Sequence, residues 1–162
     1  MLPFHPYADL FPLIEGEQFD ELVADVKAND LREKIVVWDG AILDGRNRYL
    51  AGLAAGLIEE DDGPDRVKYF IRFVPAVDGD PLKFVISKNL QRRHLSDIQR
   101  ASVAGKIANM RRGRPGENPP IGGISAADAA ATLNVSPRQV ARARLVHEQG
   151  VGALRSALDR GE

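Results

Sequence analysis

The sequence predicts an α+β chain, with a small mixed α/β domain over residues 1–80 followed by an all-α domain over residues 81–162. Three observations carry this expectation. Asp39-Gly40 separates two short apolar runs, residues 35–38 and 41–43, which is the pattern of a two-residue β-hairpin turn. From Pro81 onward apolar residues recur at helical spacing, with capping residues between the segments. Charge also changes sign along the chain. Residues 1–84 hold 9 Lys+Arg against 17 Asp+Glu, a net of −8, whereas residues 85–162 hold 13 against 6, a net of +7. The whole-chain net of −1 conceals this split, which points to a nucleic-acid surface in the basic half.

Element by element, Phe19, Leu22, Val23 and Val26 form a helical stripe over residues 19–28, with acidic residues near its start where the helix dipole favours them. The hairpin follows, then a helix over 47–57, an acidic loop over 59–65 and a strand over 67–74 in which Tyr69, Ile71 and Phe73 alternate. Residues 81–90 read as helix, and Ser96 caps another that runs to about Met110. Glycine and proline forbid regular structure over 111–123, a flexible connector. Its Arg112-Gly113-Arg114-Pro115 resembles the core of an AT-hook, a minor-groove element; the favoured reading is a solvated linker whose arginines contact phosphate.

Residues 125–146 carry a helix-turn-helix pattern. Ser125 caps a first helix, Asp128 closes a capping box, and residues 126–133 are alanine-rich. Asn134-Val135 breaks that helix. Ser136 caps a second whose first position is Pro137, where a missing N–H costs nothing, and Val140, Ala143 and either Val146 or His147 share one face. The outward face begins with Arg138, Gln139 and Arg142, with Arg144 further round, side chains that hydrogen-bond guanine, adenine and phosphate in a major groove. An ordinary helical hairpin with a solvated basic face is the alternative; the cap spacing and the Arg/Gln placement favour DNA. Gly150 ends the second helix and residues 151–158 make a last short one.

Composition excludes several chemistries. With no cysteine there is no disulfide, thiolate metal site or cysteine nucleophile, and His5, His94 and His147 are too scattered for zinc, so neither a metal site nor a catalytic group is expected. No run of about 18 apolar residues and no signal-peptide pattern occurs, so a cytoplasmic protein without a membrane partner is expected.

A second constellation, Asp44-Gly45-Arg46-Asn47-Arg48-Tyr49, ends a strand, turns at glycine and opens a helix. Such a junction points backbone N–H groups at an incoming anion, and Arg46 and Arg48 add guanidinium forks suited to phosphate. Asn89, Gln91, Arg92, Arg93 and His94 form another polar and basic cluster at a helix end. The clusters make a phosphate clamp if they meet; a structural turn with surface arginines and a helix end decorated with cations are the alternatives.

In this order the motifs resemble the ParB/sulfiredoxin superfamily. Asp44-Gly45-Arg46-Asn47-Arg48 is similar to its glycine-arginine phosphate motif, and KNLQRRHLSDIQRA at 88–101 is similar to the ENxQR-x-x-LS motif that precedes a helix-turn-helix in ParB-type partition proteins. The resemblance covers about residues 3–160. It implies a ParB/sulfiredoxin-like domain that binds a nucleoside triphosphate, CTP or another, with Mg²⁺, lined by Gly45, Arg46, Asn47 and Arg48 and faced by Asn89, Gln91 and Arg92. It also implies binding of double-stranded DNA, in partition or transcription regulation on a chromosome, plasmid or phage, and a homodimer formed on DNA or nucleotide. The sequence ends at Glu162 without the C-terminal dimerisation domain of full partition proteins, so self-association is expected through the N-terminal domains or the helices. Two departures matter. Lys88 stands where many relatives have a glutamate tied to Mg²⁺ and hydrolysis, which argues against turnover beyond weak NTPase activity; Glu33-Lys34 replaces a Gln-Pro pair near the base pocket, which leaves the base open. A nuclease-like or kinase-like enzyme of the superfamily is the alternative, opposed by Lys88 and by the lack of a compact carboxylate cluster beyond Asp44. A vestigial nucleotide fold that only positions the DNA helices is the third reading.

Overall fold

Asp39 and Gly40 both take positive φ, 49° and 76°, as a type I′ turn requires. The hairpin forms around them in the computed structural model, which describes residues 1–92, 95–110 and 125–162, Gln91 and Arg92 by backbone alone. Strands β1 (Ile35–Trp38) and β2 (Ala41–Asp44) pair antiparallel with a bulge between Val36 and Val37. Helix α2 (Arg46–Ala54) and the loop after it make the crossover to β3 (Phe70–Arg72), which lies parallel to β1, since parallel neighbours need a long connection. The sheet order is β2-β1-β3.

Ile35, Val37, Ile42, Tyr49, Ile58 and Phe70 form the core of this layer. The phenol oxygen of Tyr49 accepts a hydrogen bond from the Leu2 N–H at 2.8 Å, so the one polar atom of a fully buried ring is satisfied. Phe4 bridges Ile42 in parallel, and the Ile42 N–H donates to the Pro3 carbonyl. The N-terminal segment therefore lies along β2. Helix α1 (Glu17–Asn29) packs on α2. After β3 come a single turn, α3 (Pro75–Asp78), and α4 (Pro81–Arg92), which buries Leu82, Val85 and Ile86 and sets the Phe84 ring 5.0 Å from that of Phe73.

Contacts divide the chain into two compact units, Met1–Gln91 and Arg92–Glu162. The boundary expected between residues 80 and 81 thus falls after α4, because the apolar face of α4 belongs to the first unit's core. The expected strand over 67–74 shortens to Phe70–Arg72: the N–H groups of Tyr69 and Phe70 both donate to the Arg66 carbonyl, and this turn consumes the first residues of the run. The turn also changes the phase, so that Tyr69, Phe70 and Phe73 are buried while Ile71 is 51% exposed. Helix α2 stops at Ala54 rather than at 57, because Gly56 takes φ 72° and Ile58 folds back against Gly52.

Among the described residues the regular structure of the second unit is helix: α5 (Asp97–Met110), α6 (Ala126–Thr132), α7 (Pro137–Gln149) and α8 (Gly152–Arg160). Helix α5 is its hub and touches the other three. Ser96 caps it, its hydroxyl accepting from the Gln99 N–H while the Gln99 side chain accepts from the Ser96 N–H, a reciprocal pair that satisfies two orphan donors. Val103, Ala104, Ile107, Ala129, Leu133, Val140 and Ala143 are buried in this unit. Among the described residues no helix is long and apolar enough to cross a membrane.

Candidate functional site

Helices α6 and α7 are joined by a turn whose every backbone step has a local cause. Ser125 and Asp128 close a capping box at the start of α6. At its end the Val135 N–H donates to Ala130 and the Asn134 N–H to Ala131, the two bonds of a Schellman motif, with Asn134 at φ 50° as a short polar residue tolerates. Ser136 then caps α7 with Pro137 at its first position. Leu133, Val140 and Ala143 turn inward, which leaves Arg138 and Arg142, one helical turn apart, exposed on the outer face.

The remaining DNA-facing candidates are placed differently. The amide oxygen of Gln139 accepts from both the N–H and the hydroxyl of Ser136, each at 2.8 Å; Gln139 closes a second capping box. Bidentate reading of adenine needs the oxygen and the nitrogen of the amide together, so in this arrangement Gln139 offers only its N–H₂ group. Arg144 donates to Asn109 at 3.0 Å and pairs with Glu148 at 3.4 Å, tying α7 to α5. Arg112 and Arg114, with the 111–123 connector, lie outside the described residues, as do Arg93 and His94.

Behind α7 a partly buried polar chain joins three helices. Ser102 of α5 is 1% exposed and donates its proton to Asp159 of α8, so its oxygen accepts from His147 Nε2 of α7 at 3.0 Å. Lys106 pairs with the other Asp159 oxygen at 2.7 Å. Burial, and then the Lys106 ammonium, push the His147 pKa below its ordinary value while Asp159 opposes them. The neutral form of the ring is thereby favoured.

In the first unit, Gly45 begins α2 at φ 93°. The positive φ favours glycine there, and the Arg48 guanidinium folds close over it, 2.9 Å from where a Cβ would stand. Arg46 points inward: it pairs with Asp9 and donates to the Phe11 carbonyl, and burial lowers its pKa against the pull of Asp9. Asn47 is also buried, its side-chain oxygen accepting from the Ile14 N–H at 3.1 Å. These two residues bind the N-terminal segment to α2. Arg48 donates to Glu33 at 2.6 Å and to Asp44 at 2.8 Å, and Asn89 reaches the second oxygen of Asp44 at 3.2 Å. The structure therefore does bring Arg48 and Asn89 together, through Asp44. The side chains of Gln91 and Arg92 are outside the described residues.

Arg48 and Asp44 line a cavity of about 420 Å³ with Glu33, Lys34, Val36, Ile71, Arg72, Phe73, Asp78, Phe84 and Lys88. Its volume suits a small-molecule ligand. Four cations and three carboxylates meet there around an apolar floor. The resemblance places Lys88 at the phosphates and Lys34 near the base pocket, and both line this cavity; Arg72 had no place in the expected site, and no local pattern marks it, since the three come from the loop before β1, from β3 and from α4.

No protein-family model and no curated protein matches the chain.

Proposed function

We propose that this chain is a site-specific DNA-binding protein whose N-terminal unit responds to a nucleoside triphosphate, in the manner of the ParB-like proteins its motifs resemble, and that it serves partition or transcription regulation. The observation that carries the reading is the α6–α7 pair, capped at both starts and closed by a Schellman turn, with Arg138 and Arg142 exposed side by side on α7. Guanidinium groups one turn apart at the start of a helix reach base edges and phosphates when that helix enters a major groove. The net of +7 over residues 85–162 supports electrostatic attraction to the duplex.

The cavity of the first unit supports the nucleotide part of the reading. Arg48, Lys34, Arg72 and Lys88 supply charge for phosphates, and Phe73 and Phe84 supply apolar surface. Its carboxylates do not form a donor set for a protein-held Mg²⁺. Glu33 and Asp44 share Arg48, and Asp78 accepts from the Val74 N–H. The cation would arrive on the phosphates. The inward pairing of Arg46 and Asn47 favours a second reading, in which the Gly45 turn is scaffold and the cavity binds nothing.

Selection from a random duplex pool tests the DNA reading. Enrichment of one motif, with affinity falling linearly on a log–log salt plot, is the expected result; retention of every sequence equally, or of none, contradicts it. Calorimetric titration with CTP, ATP and GTP plus Mg²⁺, repeated on Arg48→Ala, tests the nucleotide reading. One nucleotide should saturate the wild type and fail on the variant, whereas no binding of any nucleotide leaves the scaffold reading.

A further inference from the structure

The two acids that hold Arg48 are not equivalent. Asp44 sits at the end of β2 with its side chain 9% exposed, fixed from one side by Arg48 Nη2 and from the other by Asn89. Glu33 precedes β1, its side chain is 49% exposed, and it holds Arg48 Nη1 at 2.6 Å. Asp44 is the more deeply buried of the two and Glu33 the more exposed. Both Glu33 and Arg48 line the cavity, so the Glu33 carboxylate lies where an entering anion meets the guanidinium. Arg48 Nε is buried and has no hydrogen-bond partner; the two acids leave the guanidinium's donor set unfilled. Lys34, Arg72 and Lys88 stand around the same space.

We propose that Glu33 is a built-in competitor for the anionic ligand: its carboxylate holds on Arg48 the position that a phosphate oxygen takes when the ligand binds, and the ligand displaces it. The inference rests on the nucleoside-triphosphate reading of this cavity. With Glu33 in place the cavity's charged side chains sum to one positive charge; without its charge they sum to two. A ligand with more negative charge than one carboxylate, such as a polyphosphate, is therefore the kind that displaces the acid. Phosphate and carboxylate match the same guanidinium fork, which makes the exchange geometrically direct.

The full chain and its Glu33→Gln variant, with circular dichroism melts to show both folded, are titrated calorimetrically with CTP, ATP, GTP and inorganic tripolyphosphate at one ionic strength. The variant should bind the preferred nucleotide about two- to fivefold more tightly, the scale of one charge contact at a partly exposed position, and should gain by the same factor for tripolyphosphate. Equal or weaker binding by the variant overturns the proposal, because Glu33 then supports the ligand or is indifferent to it. A gain for nucleotides but none for tripolyphosphate also overturns it, placing Glu33 against the base. No binding by either protein has a different signature: it removes the nucleotide reading itself, and the competitor role with it.

Discussion

Gly105→Ala sets two effects of opposite sign against each other. Gly105 lies in the middle of α5, where replacing glycine by alanine in a helix is worth about 1 kcal/mol in its favour. At this position, however, the added methyl would lie 3.1 Å from Ala143 Cβ and 3.1 Å from the Arg144 backbone nitrogen. Carbon–carbon contacts are comfortable at about 3.5–4.0 Å, so the methyl is about half an ångström too close. The obstruction is the backbone of α7 rather than the end of a flexible side chain. Overpacking of this kind costs about 1–3 kcal/mol, and with a rigid partner the upper part of that range applies. The net expectation is a loss of about 1–2 kcal/mol, read as a melting point lower by about 4–8 °C per kcal/mol for a domain of this size. Gly152→Ala is the matched control, since nothing lies within 4 Å of a Cβ there; it should be neutral or slightly stabilising. A Gly105→Ala protein more stable than the wild type in chemical and thermal unfolding would refute the close α5–α7 crossing.

Three further outcomes follow from the same geometry. Arg46→Ala should destabilise the first unit by about 1–3 kcal/mol, since it leaves the Phe11 carbonyl unsatisfied and removes a pair with the half-exposed Asp9, and Arg48→Ala should both destabilise it, because the nearly buried Asp44 loses its cation, and abolish nucleotide binding; an Arg48→Ala protein as stable as the wild type in melts, or one that still binds nucleotide in titrations, would contradict its role. Ser136→Ala should lower stability by about 1 kcal/mol through the lost cap and weaken DNA binding with it, measured by denaturant titration and fluorescence anisotropy; unchanged values in both would remove the cap from the account. For His147 the folded pKa lies below its ordinary value of 6.5 because of burial and Lys106, so the unfolded state takes up the proton first. The stability contributed by the neutral ring is therefore complete above pH 6.5 and is lost as the pH falls toward the depressed folded value. The wild type should lose melting temperature more steeply than His147→Gln between pH 7 and 5, and parallel slopes would contradict the assignment.

What was legible in the sequence follows the range of its causes. The Asp39-Gly40 hairpin, the Ser125, Ser136 and Ser96 caps and the Asn134 break are written within four residues of where they act, and each appears at its expected place. The Ser136–Gln139 box was equally local; Gln139 was expected to face bases because its amide suits adenine, and the cap claims its oxygen instead. Other features depend on distant partners. Arg46 reaches Asp9 and Arg48 reaches Glu33, pairs separated by 37 and 15 residues, and no spacing rule predicts which acid an arginine finds. The same holds for Arg72 of the cavity, which joins Lys34 and Lys88 there only through the tertiary fold. The phase of β3 went astray for a smaller reason: a turn on the Arg66 carbonyl delays the strand by three residues and faces Ile71 outward.

The measurement that bears most directly on the account is the affinity of wild type, Arg138→Ala and Arg142→Ala for the selected duplex and for an unrelated duplex of the same length, at two salt concentrations. The account predicts that Arg142→Ala loses about 1–3 kcal/mol on the selected duplex, relaxes preference at one base pair and changes little on the unrelated one. Equal losses on both duplexes would reduce Arg142 to a phosphate contact. No loss for either variant would show that the exposed face of α7 does not meet DNA.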